Sequence, residues 1–173
     1  MSFSIYDASV PVFVNALTDM RAWLDKAAAE KPEADLFQAK LAPDMRPLSA
    51  QYQMASDIAK NDVARLCRME APSMPDIEIS FADLRVRCDK TIAFLNSVAS
   101  EALAASEDRE IVVKLPNGSG YRFTGKAYLT EFALPNFFFH VTTAYAILRA
   151  AGIILGKFDF LQHLGPPNIS AGA

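Results

Sequence analysis

The sequence FFFHVTTAYAILRAA, at residues 137–151, is the most apolar segment of the 173-residue chain and decides its fold. Its length and composition predict a helix, and Gly152 stands where helices commonly end. Apolar side chains cover almost every face of this helix. Because exposed phenylalanine and isoleucine on all sides would form a large adhesive patch, we expect the helix to lie at the centre of a bundle or beneath a second subunit.

Towards the N-terminus, a first helix is indicated by apolar residues that recur at steps of three and four and end near Glu30. Two starts fit the pattern. Either Ser9 caps the helix and Pro11 lies in its first turn, or the helix begins at Ser4 and Pro11 kinks it. Residues 31–43 are then expected to form an irregular connection. The apolar residues expected to fold back from it onto the bundle are Leu36, Phe37 and Leu41.

Two further helices continue the same periodicity. The second has Asp44 as its predicted N-cap and ends before Pro72. The third begins at Ser80, which together with Asp83 resembles a capping box, and continues to about Ala105. The proline-containing segment between these two helices has the length of a loop, so we do not expect a domain boundary there.

The hydrophobic period changes from that of a helix to that of a strand at Glu110. β-branched residues follow directly, Asn117 and Gly118 form a strong turn signal, and residues 121–124 alternate between apolar and polar. This pattern predicts a β-hairpin at about residues 110–125. A lone hairpin is only marginally stable, so we expect it to pack on the bundle.

Together these segments predict an all-α, or mainly α, fold: a four-helix bundle with one β-hairpin inserted between helices three and four. The length suits a single domain over residues 1–173, with a C-terminal tail at residues 153–173. Hydrophobic residues make up 51% and charged residues 21% of the chain, a globular composition without a disorder signature. The net charge of -3 argues against a nucleic-acid partner or an anionic membrane surface.

Cysteine usage and the N-terminal residues bear on localisation. Cys67 and Cys88 fall inside predicted helices without close spacing, so they suggest neither a disulfide framework nor a zinc site. Residues 1–14 lack the basic and apolar regions of an export signal, and no apolar stretch is long enough to span a membrane. We therefore expect a cytoplasmic protein with reduced thiols.

Three segments carry a resemblance to a known family: LPNFFFHVTTAYAILRAAGIILGKFDFL at residues 134–161, SIYDASVPVFVNAL at 4–17 and LAPDMRPL at 41–48. In these segments the chain resembles a family of uncharacterised bacterial proteins that belongs to the DinB-like, or YfiT-like, putative metalloenzyme superfamily. The resemblance implies a four-helix bundle with one long crossover connection, often assembled as a homodimer.

The same resemblance implies a metal site that this sequence does not reproduce. Superfamily members with a metal site hold a divalent ion, often nickel or zinc, through one histidine on the second helix and two on the last, and some catalyse thiol-dependent transfer or isomerisation. This chain contains two histidines in all. The last helix offers His140 alone, with Ala144 one turn later, and His163 lies in the tail and would have to fold back. We therefore predict no cofactor, and keep nickel or zinc near His140 as the alternative.

His140 and Asp62 are the first candidates for chemistry. His140 is a possible general base or single metal ligand, or simply a half-buried histidine bonded to a neighbouring helix. Asp62 lies close to the apolar stripe of the second helix, where a carboxylate needs a partner. That partner is His140 if the helix register brings the two together, or else Arg149, Lys157 or another base. Gln51 lies on the same flank as Asp62.

The opposite flank of the last helix carries Tyr145 and Arg149, one turn apart. A tyrosine hydroxyl and a guanidinium at this spacing can bind an anion such as a carboxylate or phosphate. The alternative is structural, with Arg149 paired to Asp159 so that the tail is held on the bundle. Thr143 lies in line with His140 on the helix surface.

We therefore expect a cytoplasmic, homodimeric bundle that binds a small molecule in a cleft near His140 or has a structural role, and we favour this over an enzyme. The alternative is a metal-dependent enzyme of the thiol-dependent transferase type, with His140, Asp62 and either His163 or a group of a second subunit as ligands. A third possibility is one subunit of a hetero-complex. The candidate ligand-pocket residues are His140, Asp62, Gln51, Tyr145, Arg149 and Thr143.

Overall fold

The structure, a computed structural model, describes residues 3–169 and is mainly helical. Four long helices form a bundle, and a two-stranded hairpin precedes the last of them, which confirms the predicted fold class. In chain order the elements are α1 (Ile5–Glu30), α2 (Glu33–Phe37), α3 (Leu48–Cys67), α4 (Phe81–Asn96), β1 (Glu110–Lys114), β2 (Gly120–Thr124), α5 (Leu134–Ala150) and α6 (Lys157–Phe160).

Helix α1 packs on both α4 and α5. It runs antiparallel to α4, because Arg21 pairs with Asp89 at 2.8 Å while Asp25, one turn later, pairs with Arg85 at 3.2 Å. It runs parallel to α5, since successive aromatic contacts advance along both helices in the same direction. These aromatic pairs are Phe13–Phe137 and Trp23–Tyr145.

Helix α3 runs antiparallel to α5, because Gln51 meets His140 whereas Asp62 meets Tyr128, just before α5. Combined with the directions of α1, this makes α3 and α4 parallel neighbours. Two parallel helices need a long connection, and residues 68–80 provide it. The bundle therefore has the long crossover that the family resemblance implies.

The buried guanidinium of Arg87 on α4 fixes this crossover. It is 2% exposed and bonds to the carboxylates of Asp57 on α3 (2.7 Å), Asp76 (3.0 Å) and Glu78 (2.8 Å). It also donates to the carbonyl oxygens of Met74 and of the adjacent proline, each at 3.3 Å. A charge in this position is tolerated because three carboxylates and two carbonyls surround it.

The start of α1 resolves one open alternative. Ser4 is the N-cap: its hydroxyl accepts from the backbone N–H of Asp7 at 3.2 Å, and the Asp7 carboxylate accepts from the Ser4 N–H at 3.0 Å. These reciprocal bonds form a capping box. Pro11 therefore lies inside the helix rather than in a first turn capped by Ser9.

Two helix boundaries differ from the prediction. Asp44 is not an N-cap, since Pro47 occupies that position and its fixed φ leads directly into α3. Helix α4 ends at Asn96 and not near Ala105. The reason is Ser97, whose hydroxyl donates to the Phe94 carbonyl at 2.7 Å and so competes with continued helical bonding.

The connection between α1 and α3 folds back only in part. Leu36 is 1% exposed in the core, and Phe37 packs against Phe81 with ring centroids 6.4 Å apart. Leu41 is 47% exposed, so its predicted return to the bundle was wrong. The chain at Leu41 has already turned towards α3, because Ala39 accepts the Leu48 N–H at 2.9 Å.

The hairpin forms at the predicted place, with Glu110 opposite Thr124 and Lys114 opposite Gly120. Gly118 takes a positive φ of 86° in the turn, a conformation that glycine adopts without strain. At the hairpin base, a Cβ on Gly125 would lie 1.8 Å from the Ser106 carbonyl oxygen, so only glycine fits there.

Helix α5 begins earlier than predicted, at Leu134, and a helical turn at 125–127 and a π-helical turn at 128–133 lead into it. Gly152 follows its end with a φ of 88°, as expected. Helices α1 and α3 and the tail cover most of it, and among its large apolar side chains only Phe139 is exposed. The helix is therefore buried at the centre of the bundle by elements of its own chain, which is the first of the two arrangements that the sequence predicted.

The core is one cluster built from all four long helices, α2, the hairpin and the tail. Its largest buried side chains include Trp23, Tyr52 and Tyr128, and Tyr52 donates its hydroxyl to the Met20 carbonyl at 2.8 Å. Cys88 is buried and Cys67 half-buried, and both are free thiols. Within residues 3–169, no helix has the length and apolar character needed to cross a bilayer.

The burial of α5 predicts a sharp contrast between two neighbouring phenylalanines. Phe137 is fully buried against Phe13, so Phe137→Ala should lower the free energy of unfolding by about 3–5 kcal/mol. Phe139 is 56% exposed, so Phe139→Ala, the matched control, should cost well under half as much. Urea unfolding of both variants measures this. Equal losses would contradict the orientation of α5 described here.

Candidate functional site

A pocket opens between α1, α5 and the C-terminal tail, which turns back along α1 after α5 ends. We call it the tail pocket. Its volume is about 240 Å³, and its walls are mostly apolar and aromatic. The lining residues are Val12, Asn15, Ala16, Asp19, Trp23, Phe138, Val141, Phe160, Leu161 and His163.

The polar end of the tail pocket is a carboxylate–imidazole pair. His163 donates from Nδ1 to Oδ2 of Asp19 at 2.8 Å, and its backbone N–H donates to Oδ1 at 3.2 Å. The Asp19 side chain is 2% exposed and that of His163 is 26% exposed. Burial raises the pKa of Asp19, and the hydrogen bonds and charge of His163 partly offset this.

Because the Asp19 carboxylate is an acceptor, Nδ1 of His163 carries the shared proton and Nε2 is the ring nitrogen left for another partner. Nε2 makes no hydrogen bond to any residue in the range 3–169. The tail thus brings to α1 a group that can donate or accept a proton at the edge of an apolar cavity.

A second contact holds the tail on α1. The indole Nε1 of Trp23 donates to the backbone carbonyl of Asp159 at 2.9 Å, and Lys26 pairs with the Asp159 carboxylate at 2.7 Å. Although burial acts in the opposite direction, hydrogen bonds from Lys26 and Gly156 hold the pKa of Asp159 below its usual value. Phe160 stacks near Trp23 with centroids 5.5 Å apart. The floor of the pocket is therefore anchored at several points.

His140 lies away from this pocket, although its neighbours Phe138 and Val141 line it. Its Nδ1 donates to Oε1 of Gln51 on α3 at 2.8 Å, and the Gln51 amide in turn donates to the Arg46 carbonyl at 3.0 Å. Burial lowers the pKa of His140, so the ring is neutral at pH 7. His140 is therefore a half-buried histidine bonded to a neighbouring helix, which is the structural alternative that the sequence offered for it.

Asp62 lies at the other end of α3 from Gln51, and eleven residues of helix rise about 16 Å. The structure therefore does not bring Asp62 and His140 together. Asp62 accepts the Tyr128 hydroxyl and pairs with Arg65 at 3.4 Å. The base that pairs with Asp62 is therefore Arg65, and neither Arg149 nor Lys157.

The second carboxylate oxygen of Asp62, Oδ2, is buried and has no hydrogen-bond partner within residues 3–169. Burial raises the pKa of Asp62 to about 7 despite the Tyr128 hydrogen bond and the Arg65 charge. Tyr128 belongs to the π-helical turn before α5 and also packs on Phe132 of that turn. The contact between Asp62 and Tyr128 therefore holds the turn before α5 against α3, but it leaves one carboxylate oxygen of Asp62 without a hydrogen bond.

Tyr145 and Arg149 do not form an anion site. The Tyr145 hydroxyl donates to the Leu155 carbonyl at 3.3 Å, and Arg149 donates to the Ile153 carbonyl at 2.9 Å. Both side chains hold the chain after α5. For Arg149 this is the structural role that the sequence offered as the alternative, but its predicted partner was wrong, since Asp159 binds Lys26. The Thr143 hydroxyl is used within α5, on the Phe139 carbonyl at 2.6 Å.

The donors near His140 do not fit a resident nickel or zinc ion. His140 would supply one nitrogen, Gln51 is a neutral amide already in a hydrogen bond, and Ala144 supplies no donor. Structural and catalytic zinc sites use three or four nitrogen, sulfur or carboxylate ligands. No group of three or more His, Cys, Asp or Glu side chains in the described part of the chain is arranged to hold a metal.

A larger groove of about 660 Å³ lies along α4 under the crossover. Its central charge, Arg87, is already neutralised by three carboxylates, and its rim residues Ile77 and Ile79 are 75% and 83% exposed. The Arg87 guanidinium therefore stabilises the fold and has no charge left to attract a ligand. The smaller tail pocket is the stronger candidate for a ligand site, because its imidazole still has a free nitrogen.

Sequence reasoning missed Asp19 and considered His163 only as a metal ligand beside His140 and Asp62. A usable signal existed, because Asp19 lies among buried residues of the α1 stripe between Leu17 and Met20, where a carboxylate needs a partner. The same need for a partner marks Asp62 on the second helix. What the sequence did not show is the return path of the tail, which brings His163 to Asp19.

Comparison with known proteins supports the same architecture. The family model described as domain of unknown function DUF1993 matches residues 5–161. The crystal structure of a DinB family member protein from Shewanella denitrificans, solved at 1.83 Å resolution, is similar with a TM-score of 0.85 and 36% sequence identity, covering 96% of this chain and 95% of that chain. No curated protein matches the sequence.

The chain shares its mainly helical fold with this DinB family member over nearly the full length of both chains and is a DinB-like protein. Within that class the chain belongs to the DUF1993 family.

The raised pKa of Asp62 predicts a pH-dependent stability. The folded state keeps a proton on Asp62 up to about pH 7, whereas the unfolded chain releases it near 3.8, so this carboxyl stabilises the fold below that range and the contribution is lost as pH rises through 7. Asp62→Asn, which stays neutral, should therefore raise the melting temperature by several degrees at about pH 8.5 and change it little at about pH 4. Asp108→Asn, at an exposed turn, is the control and should show no such dependence. A loss of stability at alkaline pH in Asp62→Asn would contradict the assignment.

Proposed function

We propose that this protein binds a small organic molecule in the tail pocket. The observation that carries the proposal is the buried Asp19 bonded to His163 at the wall of an otherwise apolar cavity. Ligand sites are typically concave and apolar with a few convergent polar groups, and the tail pocket has this character. The sequence predicted a ligand cleft near His140, on the face of α5 that meets α3. We propose instead that the ligand binds on the face of α5 that meets α1.

Two features support binding over metal-dependent catalysis. The donor set around His140 is too small for a divalent ion, and the second histidine is bonded to Asp19 instead of joining it. We therefore propose that the protein works without a resident metal. A homodimer and a cytoplasmic location remain part of the proposal; the exposed Ile77 and Ile79 of the α4 groove give a second copy an apolar surface to cover.

Trp23 makes the proposal directly testable, because it is the single tryptophan of the chain and lines the pocket. Titration with benzyl alcohol, followed by selectively excited tryptophan fluorescence, should give a saturable change. Val12→Trp places a large ring at the pocket rim and should abolish that binding, as measured by ligand-detected NMR, which does not depend on the added fluorophore.

The matched control is Val86→Trp, which adds the same ring at a half-exposed position of α4 and should leave benzyl alcohol binding unchanged. Both variants should retain the helical circular dichroism of the parent. Binding that survives in Val12→Trp would place the ligand elsewhere and remove the tail pocket from consideration.

The absence of a resident metal is tested separately. Protein purified without a histidine tag should contain far less than one nickel or zinc ion per chain by elemental analysis, before and after incubation with either ion and gel filtration. A stoichiometric ion that disappears in His140→Ala but persists in His163→Ala would instead establish the metal-dependent alternative.

A further inference from the structure

The carboxylate of Asp19 differs from other buried carboxylates of the fold in the partner that it has. Its side chain is 2% exposed, yet no lysine or arginine in the described part of the chain pairs with it. Asp62 and Glu78, whose side chains are 4% and 10% exposed, each pair with an arginine. A buried carboxylate normally has a cationic partner. Asp19 instead relies on His163, a group that is not permanently charged, so a cation from solution would complete its surroundings.

The charge balance of the tail pocket determines which ionised ligand it admits. Among the described residues that line it, Asp19 and His163 are the ionisable ones. With Asp19 ionised, the pair carries a charge of -1 when the imidazole is neutral and of zero when the imidazole is protonated. The pair is positive in neither state, so an anion in this apolar cavity would find no opposite net charge. A cation balances the carboxylate.

The polar groups that line the pocket can accept hydrogen bonds from such a cation. Because Nδ1 of His163 donates to Asp19, the neutral imidazole presents the lone pair of Nε2. Asn15 lines the same cavity and offers the oxygen of its carboxamide. If Nε2 carries a proton before binding, that proton passes to solvent and the ligand supplies the positive charge in its place, while Nδ1–H stays bonded to Asp19. The arrangement therefore suits an N–H-bearing cation in either starting state.

We propose that the tail pocket selects a small primary monoamine with an aromatic or branched apolar body, whose ammonium group donates to Nε2 of His163 and balances the charge of Asp19. This inference rests on the proposed function and specifies its ligand class. One carboxylate matches one ammonium group, so a diamine would leave a buried charge unpaired. The apolar body lies among Trp23, Phe138 and Phe160, and aromatic rings also attract a cation.

The size of the cavity limits the apolar body to about one ring. A cavity of roughly 150 Å³ in another protein accommodates benzene, and the tail pocket measures about 240 Å³. The difference leaves room for an ammonium group on a short linker. Two fused rings with a side chain exceed this volume unless the tail moves.

The test compares three probes of similar shape and different charge: benzylamine, benzyl alcohol and benzoate. They are titrated at about pH 7.5, where an alkylamine is protonated and a carboxylic acid is ionised. Trp23 fluorescence reports the binding of each, with isothermal calorimetry as the independent measurement. Benzylamine should bind at least about tenfold more tightly than benzyl alcohol, as expected when a charge-assisted hydrogen bond replaces a neutral one. Benzoate should bind more weakly than benzyl alcohol, because its charge has the same sign as that of Asp19.

Asp19→Asn assigns the preference to the buried carboxylate. It removes the charge and keeps an oxygen that can accept from His163, so benzylamine should weaken about tenfold while benzyl alcohol binds unchanged. Asp25→Asn is the matched control, because it removes the same charge from α1 at a side chain that is 57% exposed and pairs with Arg85. Asp25 does not line the tail pocket, so the advantage of benzylamine should persist in this variant.

If Asp19→Asn releases the tail, benzyl alcohol binding is lost as well, and Val12→Lys then decides. Val12 is a half-buried residue at the pocket rim, so a lysine there adds a positive charge beside the cavity and leaves both members of the Asp19–His163 pair in place. Benzylamine should weaken about fivefold or more in Val12→Lys, because like charges repel, whereas benzyl alcohol should still bind.

The outcomes separate the two proposals. If benzyl alcohol or benzoate binds as tightly as benzylamine, the amine inference is overturned while the tail pocket remains a binding site. If none of the three probes changes Trp23 fluorescence or gives a calorimetric signal, the proposed function fails together with the inference. An undiminished advantage of benzylamine in Asp19→Asn, or in Val12→Lys where that variant decides, assigns the ammonium group to another site and also overturns the inference.

Discussion

The burial of α5 is the constraint on which the rest of the structure depends. A helix with phenylalanine, isoleucine and leucine on nearly every face is stable in water only if other elements surround it. Helix α3 covers one side in antiparallel contact, α1 covers another in parallel contact, and the chain after Gly152 returns to cover a third. The parallel α3–α4 pair, and hence the long crossover, follows from these directions.

The return of the tail has a chemical consequence, since it carries polar groups to the face of α1 that holds Asp19, Trp23 and Lys26. Each of these groups meets a partner there: Asp159 meets Lys26, the Asp159 carbonyl meets Trp23, and His163 meets Asp19. Buried polar atoms without partners are expensive, so these contacts set the position of the tail within narrow limits. The pocket between α1, α5 and the tail is the space that this arrangement leaves unfilled.

The sequence predicted the bundle, the hairpin and the capping of α4 by Ser80, because hydrophobic period and local capping residues are properties of short segments. Two helix boundaries were predicted wrongly. The end of α4 is set by the Ser97 hydroxyl, and the start of α3 by Pro47, which takes the N-cap position expected for Asp44. The candidate site was harder to predict. Asp19 and His163 lie 144 positions apart, and their contact depends on a turn after α5 that no periodicity encodes. His140 and Asp62 were correctly recognised as polar groups on a packed face, but sequence alone did not give the helix register that separates them.

The close approach of Gly125 to Ser106 also bears on how this architecture can vary. The two strands leave the bundle and re-enter it at one point, where the Lys126 N–H donates to the Glu107 carbonyl at 2.9 Å. The two ends of the hairpin are therefore held together at its base. Its strands also pack on the bundle, since Ile111 is 3% exposed in the core and the Phe123 ring lies 6.0 Å from that of Tyr128. A loop that replaced the hairpin would therefore have to supply these apolar contacts as well as the glycine at its base.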